Sequence, residues 1–372
     1  MRFGYWLPVF GGWLRNVPDE RMEASWDYVR RLARRSETIG FDLTLIAELN
    51  LNDIKGPDAP CLEAWTTAAA LAAVTEQLEL MVAVRPTFHP PAVLAKQAAN
   101  LDRLSGGRLS LNVVSAWWRD EARRYGVPFD EHDARYDRTA EWVTIVSGMW
   151  SQPRFTFAGR YYRVEDAILE PKPLRQPRPT LYAGGESEKA RETIARHCDG
   201  YLMHGDPPDR LARRVADLRE RRARLGLPPL VFGVAGYVIC RETEEAARRE
   251  LARITDVRGS AAGYATYRDW LANTKLEAPP SVEDYSVSNR GLRTGLVGTP
   301  DRIAERLLEL ERGGIDLVLL QFSPQLEEME RFAETVIPRV RSTTGTRAGN
   351  AAGVDAQEGP GFLSPRGDVP EG

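Results

Sequence analysis

The chain has 372 residues, with 50 lysine and arginine against 53 aspartate and glutamate, for a formal net charge of −3. That balance excludes an electrostatic case for binding nucleic acid or an anionic membrane surface. Three widely spaced cysteines (Cys61, Cys198, Cys240) show neither disulfide-framework nor metal spacing, and a reducing cytoplasm is expected. The apolar run at the N-terminus is too short for a secretory h-region, and no stretch reaches transmembrane length.

Apolar periodicity predicts alternating short and long elements in chain order. A strand is expected over residues 3–9, a helix over 23–39, a strand over 41–46 and a helix over 63–75. Between the last two lies Ala59-Pro60-Cys61, where Cys61 can face a site or simply fill a small apolar space. A third strand over 78–84 runs into Arg85-Pro86-Thr87-Phe88-His89-Pro90-Pro91, a loop stiffened by prolines. Arg85 there can hold an anion or cap structure. A helix over 92–104 and a strand over 109–114 follow.

This fourth strand is apolar enough to be buried on both faces, yet carries Asn112, Ser115 and the pair Trp117-Trp118 at its carboxyl end. Such groups at the end of a buried parallel strand sit where α/β folds place ligands. A short Arg/Glu-rich helix, the stretch EHDARY (131–136) and a helix over 134–150 come next. Residues 152–179 combine a strand-like run with many prolines and read as a hairpin excursion.

A strand over 180–183 then enters Gly184-Gly185-Glu186-Ser187 and a helix over 188–197. Glycines that let amides approach a ligand, followed by a helix N-terminus, make a phosphate site in form. The same residues also make an ordinary tight turn with Ser187 as N-cap. Further strands are expected over 200–203, 231–240 and 317–320, with helices over 208–225, 244–254 and 300–313. Residues 256–294 lack a clean period and read as an insertion or lid. Residues 342–372, rich in Gly, Pro and Ala, read as a disordered tail.

Eight strands alternating with helices predict a (β/α)8 barrel over residues 1–341. The rival doubly wound sheet lacks its G-x-G-x-x-G fingerprint after the first strand. Neither a carboxylate pair nor a Ser/His/Asp set stands out, and His89, His132, His197 and His204 are scattered without metal spacing. A chain without its own acid/base or metal kit points to an organic cofactor.

At these residues the chain resembles the bacterial luciferase-like flavin monooxygenases, and within them the alkanesulfonate and dimethylsulfone monooxygenases. The resemblance spans residues 3 to about 341 and rests on FGYWLPVFGGW, AVRPTFHPPAVLAKQAANLDRLSGGRLSLNVVSAW, EHDARYDRTAEW, LYAGGESEKA and LVGTPDRIAERL taken together. It implies a (β/α)8 barrel with a lid, using O2 and reduced FMN delivered by a separate NAD(P)H-dependent flavin reductase. It also implies a cytoplasmic homodimer or homotetramer.

Carried over, Asn112, Ala47, Ser115 and Glu121 are expected at the flavin, with Arg135, Tyr136, Gly184, Gly185 and Ser187 toward its phosphate. Glu186 stands where the family often has serine, and is expected to point outward, away from a phosphate. Cys61, Tyr237 and Arg290 are the catalytic candidates; Arg85, Trp117, His204 and Arg293 are the substrate candidates. The sulfonate enzymes carry an arginine and a histidine on the seventh strand, where this chain has Ala235 and Tyr237. The missing charge-assisted partner is worth about 1.5–3 kcal/mol to a sulfonate, though Arg290 and Arg293 in the insertion could still clamp an anion; a small organosulfur compound of sulfone or sulfonate type is expected, the neutral sulfone favoured, with C–S cleavage as the outcome. The alternatives are the same flavin chemistry on a pyrimidine-type amide or a biosynthetic intermediate, a deazaflavin-dependent hydride transfer, and a non-catalytic flavin-binding relative.

Overall fold

A computed structural model describes residues 1–257, 267–273, 275 and 281–342. The expected disordered tail lies outside the described residues except for Ser342, as does part of the 256–294 insertion.

The eight expected strands form a closed parallel barrel. They are β1 (Arg2–Trp6), β2 (Leu43–Ile46), β3 (Glu79–Val84), β4 (Leu109–Val113), β7 (Thr180–Gly184), β8 (Gly200–Met203), β9 (Val231–Tyr237) and β12 (Leu317–Gln321), with β1 and β12 closing the ring. Between β4 and β7, β5 (Phe155–Ala158) and β6 (Arg163–Ala167) make the antiparallel hairpin expected within 152–179. The expected strand over 231–240 ends early. Its last residues form β10 (Ile239–Cys240), which leaves the barrel to pair with β11 (Val297–Gly298). The Ile239 amide donates to the Leu296 carbonyl at 3.0 Å, drawing the chain away from the ring.

The helices are α1 (Trp26–Ile39), α2 (Ala64–Ala72), α3 (Pro91–Leu104), α4 (Arg119–Arg124), α5 (His132–Ser151), α6 (Glu188–His197), α7 (Pro208–Arg224), α8 (Glu244–Ile254), α9 (Tyr267–Asn273), α10 (Pro300–Arg312) and α11 (Gln325–Thr335); α9 borders the cavity described below. Local chemistry sets their ends. Ser25 accepts from the Tyr28 amide at the start of α1, and Gly40 ends that helix in the left-handed region at φ +97°. Thr299 caps α10 in the same way, with Pro300 at the first position.

Two apolar layers follow from strand alternation. Outward-facing residues pack under the helices, where Phe3, Phe41, Phe322 and Phe332 meet largely edge to face. Inward-facing Leu43, Leu45, Met81, Tyr182, Leu317 and Leu319 fill the barrel. Gly200 faces the Tyr182 ring so closely that any Cβ would overlap it, so the ring fits only because β8 has glycine there. Above this plug, at the carboxyl ends of the strands, inward positions turn small: Ala47, Ala83 and Ala235. A cavity opens over them.

Candidate active site

The cavity has a volume of about 250 Å³ and a floor of Ala47, Ala83, Asn112, Gly184 and Ala235. Asn112 is buried in register between Ala83 and Tyr182, so its position is fixed by two ladders.

One wall is ionic. Glu48 follows β2 and accepts from the Arg85 amide at 2.7 Å, while its other oxygen meets His89 Nε2. Arg85 also pairs with Glu121 and lies over the Phe88 ring at 3.8 Å. Glu121, expected against the cofactor, is not among the cavity-lining residues. It is fully buried behind Arg85 and accepts from the Asn50 amide at 2.5 Å. A carboxylate so placed compensates the guanidinium and leaves Arg85 as the group that faces the cavity.

The second wall is aromatic. Trp117 and Trp118 stack with centroids 5.5 Å apart and planes 3° apart, Trp117 lining the cavity and Trp118 buried behind it. They follow Ala116, which sits at φ +57°, a region costly for a residue with a Cβ. The Ala116 carbonyl accepts from Arg135, and the second terminal nitrogen of Arg135 donates to the Asn273 carbonyl at 2.8 Å. Arg135 thus ties the indole loop to α9. Ser115 hydrogen-bonds Thr139 at 2.9 Å, fixing the same loop to α5.

The third region is the loop from β7 into α6. Gly185 has φ +152°, and a Cβ there would lie 2.6 Å from both the Tyr136 hydroxyl oxygen and the Ala190 methyl. This close approach requires glycine. Burial pushes the Tyr136 hydroxyl up to about 12, so it remains a donor at neutral pH. Ser187 is the N-cap of α6, accepting from the Ala190 amide at 3.2 Å, and does not line the cavity.

Glu186 corrects an expectation: it does not point outward. Only 6% exposed, it lines the cavity and pairs with Arg290, whose Nη2 also lies 3.2 Å from His204 Nδ1. The carboxylate is held inward because a guanidinium compensates it. Burial and the Arg214 charge push His204 down to about 4, so it is neutral at ordinary pH. Asn289 and Arg290 are both left-handed (φ +56° and +54°). The Gly205 amide donates to the Asn289 carbonyl at 2.9 Å, and Gly205 abuts the Arg290 carbonyl with no space for a Cβ. The strained pair is thereby locked into place.

Three further candidates stand apart from the cavity. Arg293 ion-pairs with Asp206 at 3.1 Å and is not among the lining residues. Tyr237 is buried with its hydroxyl toward Ser323, in a core beside Glu20, Glu250 and Glu328, since β9 leaves the barrel just there. Cys61 is half-buried with Sγ 3.9 Å from the Leu49 carbonyl, and burial raises its thiol. Groups missed from sequence are Glu48, the Arg15–Asp53 pair (2.7 Å) and Trp270. Glu48 had a signal, as a carboxylate just past a barrel strand; Trp270 lies in the aperiodic insertion and had none. Among the described residues, no cluster of His, Cys, Asp or Glu is placed to hold a metal.

The Luciferase-like monooxygenase family model matches residues 1–317. The chain belongs to this family. An FMNH2-dependent dimethylsulfone monooxygenase of Pseudomonas putida is 36% identical over 350 residues, covering 92% of this chain and 95% of the relative. The enzyme of that name from Pseudomonas fluorescens (strain Pf0-1) is 37% identical, covering 92% and 94%. Among solved structures, the luciferase-like barrel is shared with the long-chain alkane monooxygenase LadA (TM-score 0.79, 21% identity, 92% of each chain). It is shared also with DmoA from Hyphomicrobium sulfonivorans (TM-score 0.76, 20% identity, 92% of this chain and 88% of that one). No helix among the described residues is long and apolar enough to cross a membrane.

Proposed function

We propose that the chain is an FMNH2-dependent monooxygenase that oxygenates a small neutral sulfone. The observation that carries this reading is the charge pattern of the cavity. Arg15, Arg85 and Arg290 each have a carboxylate within 4 Å, whereas Arg135 has none among the described residues. A site built this way offers one uncompensated cation for a phosphate and a charge-balanced remainder for an uncharged substrate. The relatives' dimethylsulfone activity supports the substrate class.

The residues fit FMN. The Gly184–Gly185 loop with the α6 N-terminus and the Tyr136 hydroxyl would hold the phosphate, and Arg135, which lines the cavity with no carboxylate within 4 Å among the described residues, would add a cation. Ala47 and Asn112 on the floor and Ser115 beside it would take the ring. Bound reduced FMN supplies two electrons to O2, so that one oxygen enters the substrate and the other leaves as water. The chain's own groups do the rest. The stacked indoles shape the substrate end, Arg85 and Arg290 donate toward sulfonyl oxygens, and the insertion over 256–294 closes as a lid that excludes water. The reductant comes from a separate NAD(P)H-dependent flavin reductase in the cytoplasm, and the chain assembles as a homodimer or homotetramer.

The test supplies FMN, a generic flavin reductase, NADH, O2 and dimethylsulfone. Oxygenation at carbon with C–S cleavage balances as formaldehyde, methanesulfinate and water. Oxygen-dependent formaldehyde release is expected. FMN binding without any organosulfur product would refute the substrate class.

A further inference from the structure

We propose that Glu186 decides the charge of the substrate: by neutralising Arg290 inside the cavity, it favours an uncharged sulfonyl compound over its anionic isostere. This rests on the organosulfur reading above and goes further by assigning the discrimination to one carboxylate.

Glu186 and Arg290 have side chains only 4% and 2% exposed, and both line the cavity. A second guanidinium, Arg214, lies 3.9 Å from the other Glu186 oxygen and is itself held by Asp206 at 2.8 Å. Arg293 completes the cluster through Asp206. Every guanidinium in it therefore has a carboxylate within 4 Å, and His204 beside it is neutral. Burial pulls Arg290 down to about 10, which still leaves it charged at neutral pH. Its backbone is locked by Gly205 and cannot withdraw from the carboxylate without breaking the left-handed pair at 289–290.

Two consequences follow for a ligand. Arg290 lines the cavity, and its Nε has no acceptor among the described residues, so the guanidinium keeps an unspent N–H. An anion in the same place meets the Glu186 carboxylate as well, and a like charge within a few ångström in a part-buried site is strongly repulsive. Dimethylsulfone and methanesulfonate are a matched pair for this question, since they differ by a methyl group against a charged oxygen at almost the same volume.

The experiment compares wild type, Glu186→Gln and Glu186→Asp, all loaded with FMN. Methanesulfonate binding is titrated by calorimetry, dimethylsulfone kcat/KM is measured with saturating reduced FMN, and the FMN Kd is determined for each. Glu186→Gln is expected to tighten methanesulfonate by about tenfold to a hundredfold, the size of one full charge nearby, and to change FMN affinity by less than that. Glu186→Asp keeps the charge and should keep the wild-type preference, even if its stability drops. Unchanged methanesulfonate affinity in a folded Glu186→Gln protein would overturn the proposal. So would a gain in FMN affinity without any change in discrimination, because the carboxylate would then act on the cofactor. Absence of dimethylsulfone turnover in wild type would refute the functional reading alone, since the methanesulfonate titration still decides the role of Glu186.

Discussion

Replacing Arg135 by methionine keeps most of the side-chain stem and removes a cavity arginine that has no carboxylate within 4 Å among the described residues. Arg135 is 4% exposed, and its guanidinium donates to two carbonyls, Ala116 and, at 2.8 Å, Asn273. Both acceptors border the cavity and can be rehydrated, so the stability loss should be about 1–3 kcal/mol. The effect on FMN is separable. One charge-assisted contact to a phosphate contributes about 2–3 kcal/mol, or about 30- to 160-fold in Kd. Fluorescence titrations with FMN and with riboflavin, which has no phosphate, divide the charge effect from the structural one. FMN should weaken by that factor and riboflavin by only a few-fold, and the gap should narrow at high salt. Equal losses for the two flavins would mean that Arg135 only holds the indole loop and α9 together. An unchanged FMN Kd would mean that the phosphate lies elsewhere.

Truncating Trp117 to alanine removes the cavity-lining half of the stacked indole pair; substrate preference should shift with FMN affinity nearly constant, and a large loss of FMN binding would show the aromatic wall to be misplaced. Gly185→Ala puts a methyl 2.6 Å from the Tyr136 hydroxyl at φ +152°; expected are a loss of about 1–3 kcal/mol in urea unfolding and weaker FMN binding by titration. His204 is pushed down to about 4 when folded, against about 6.5 unfolded. The unfolded chain therefore takes up this proton first, and stability falls as pH drops from 6.5 toward 4. Urea midpoints at pH 7 and pH 4.5 should differ less in His204→Gln than in wild type, and an equal difference would refute the linkage.

The barrel was legible because each of its strands is a short apolar run between turn signals, and burial on both faces demands that composition. The helix α11 was not among the expected elements, and two of its buried positions, Gln325 and Glu328, are polar. Gln325 is buried by hydrogen bonds to the Trp13 indole (2.7 Å) and the Trp6 carbonyl (3.1 Å), partners about 300 residues away in sequence. The apolar residues Leu326, Met329, Phe332 and Ala333 do recur at helical spacing; what they do not show is the amide anchor. Residues at strand ends, such as Asn112, and at the indole loop, such as Trp117, were reachable for the opposite reason: their polarity or bulk conflicts with their local setting.

Glu186 shows where such reading stops. Repulsion from a phosphate was a sound argument for placing it outward, but the outcome is set by Arg290, 104 residues further along the chain. Ion pairs of this separation leave no local signature. Glu121 and Arg293 fail for the same reason, each being claimed by a distant partner, Arg85 and Asp206.

The pairing pattern also bears on how the two ends of the cavity communicate. Arg135 spends its terminal nitrogens on the Ala116 and Asn273 carbonyls, and Lys275 reaches Asp133 at 2.9 Å. The segment around α9 is thus fastened to the start of α5, the same end that carries Tyr136. A phosphate that draws Arg135 toward Gly185 must compete with the Asn273 carbonyl for the same guanidinium. With Arg135 on the phosphate as proposed, cofactor occupancy and the seating of this segment would be linked through one side chain, and by reciprocity whatever seats the segment would alter FMN affinity.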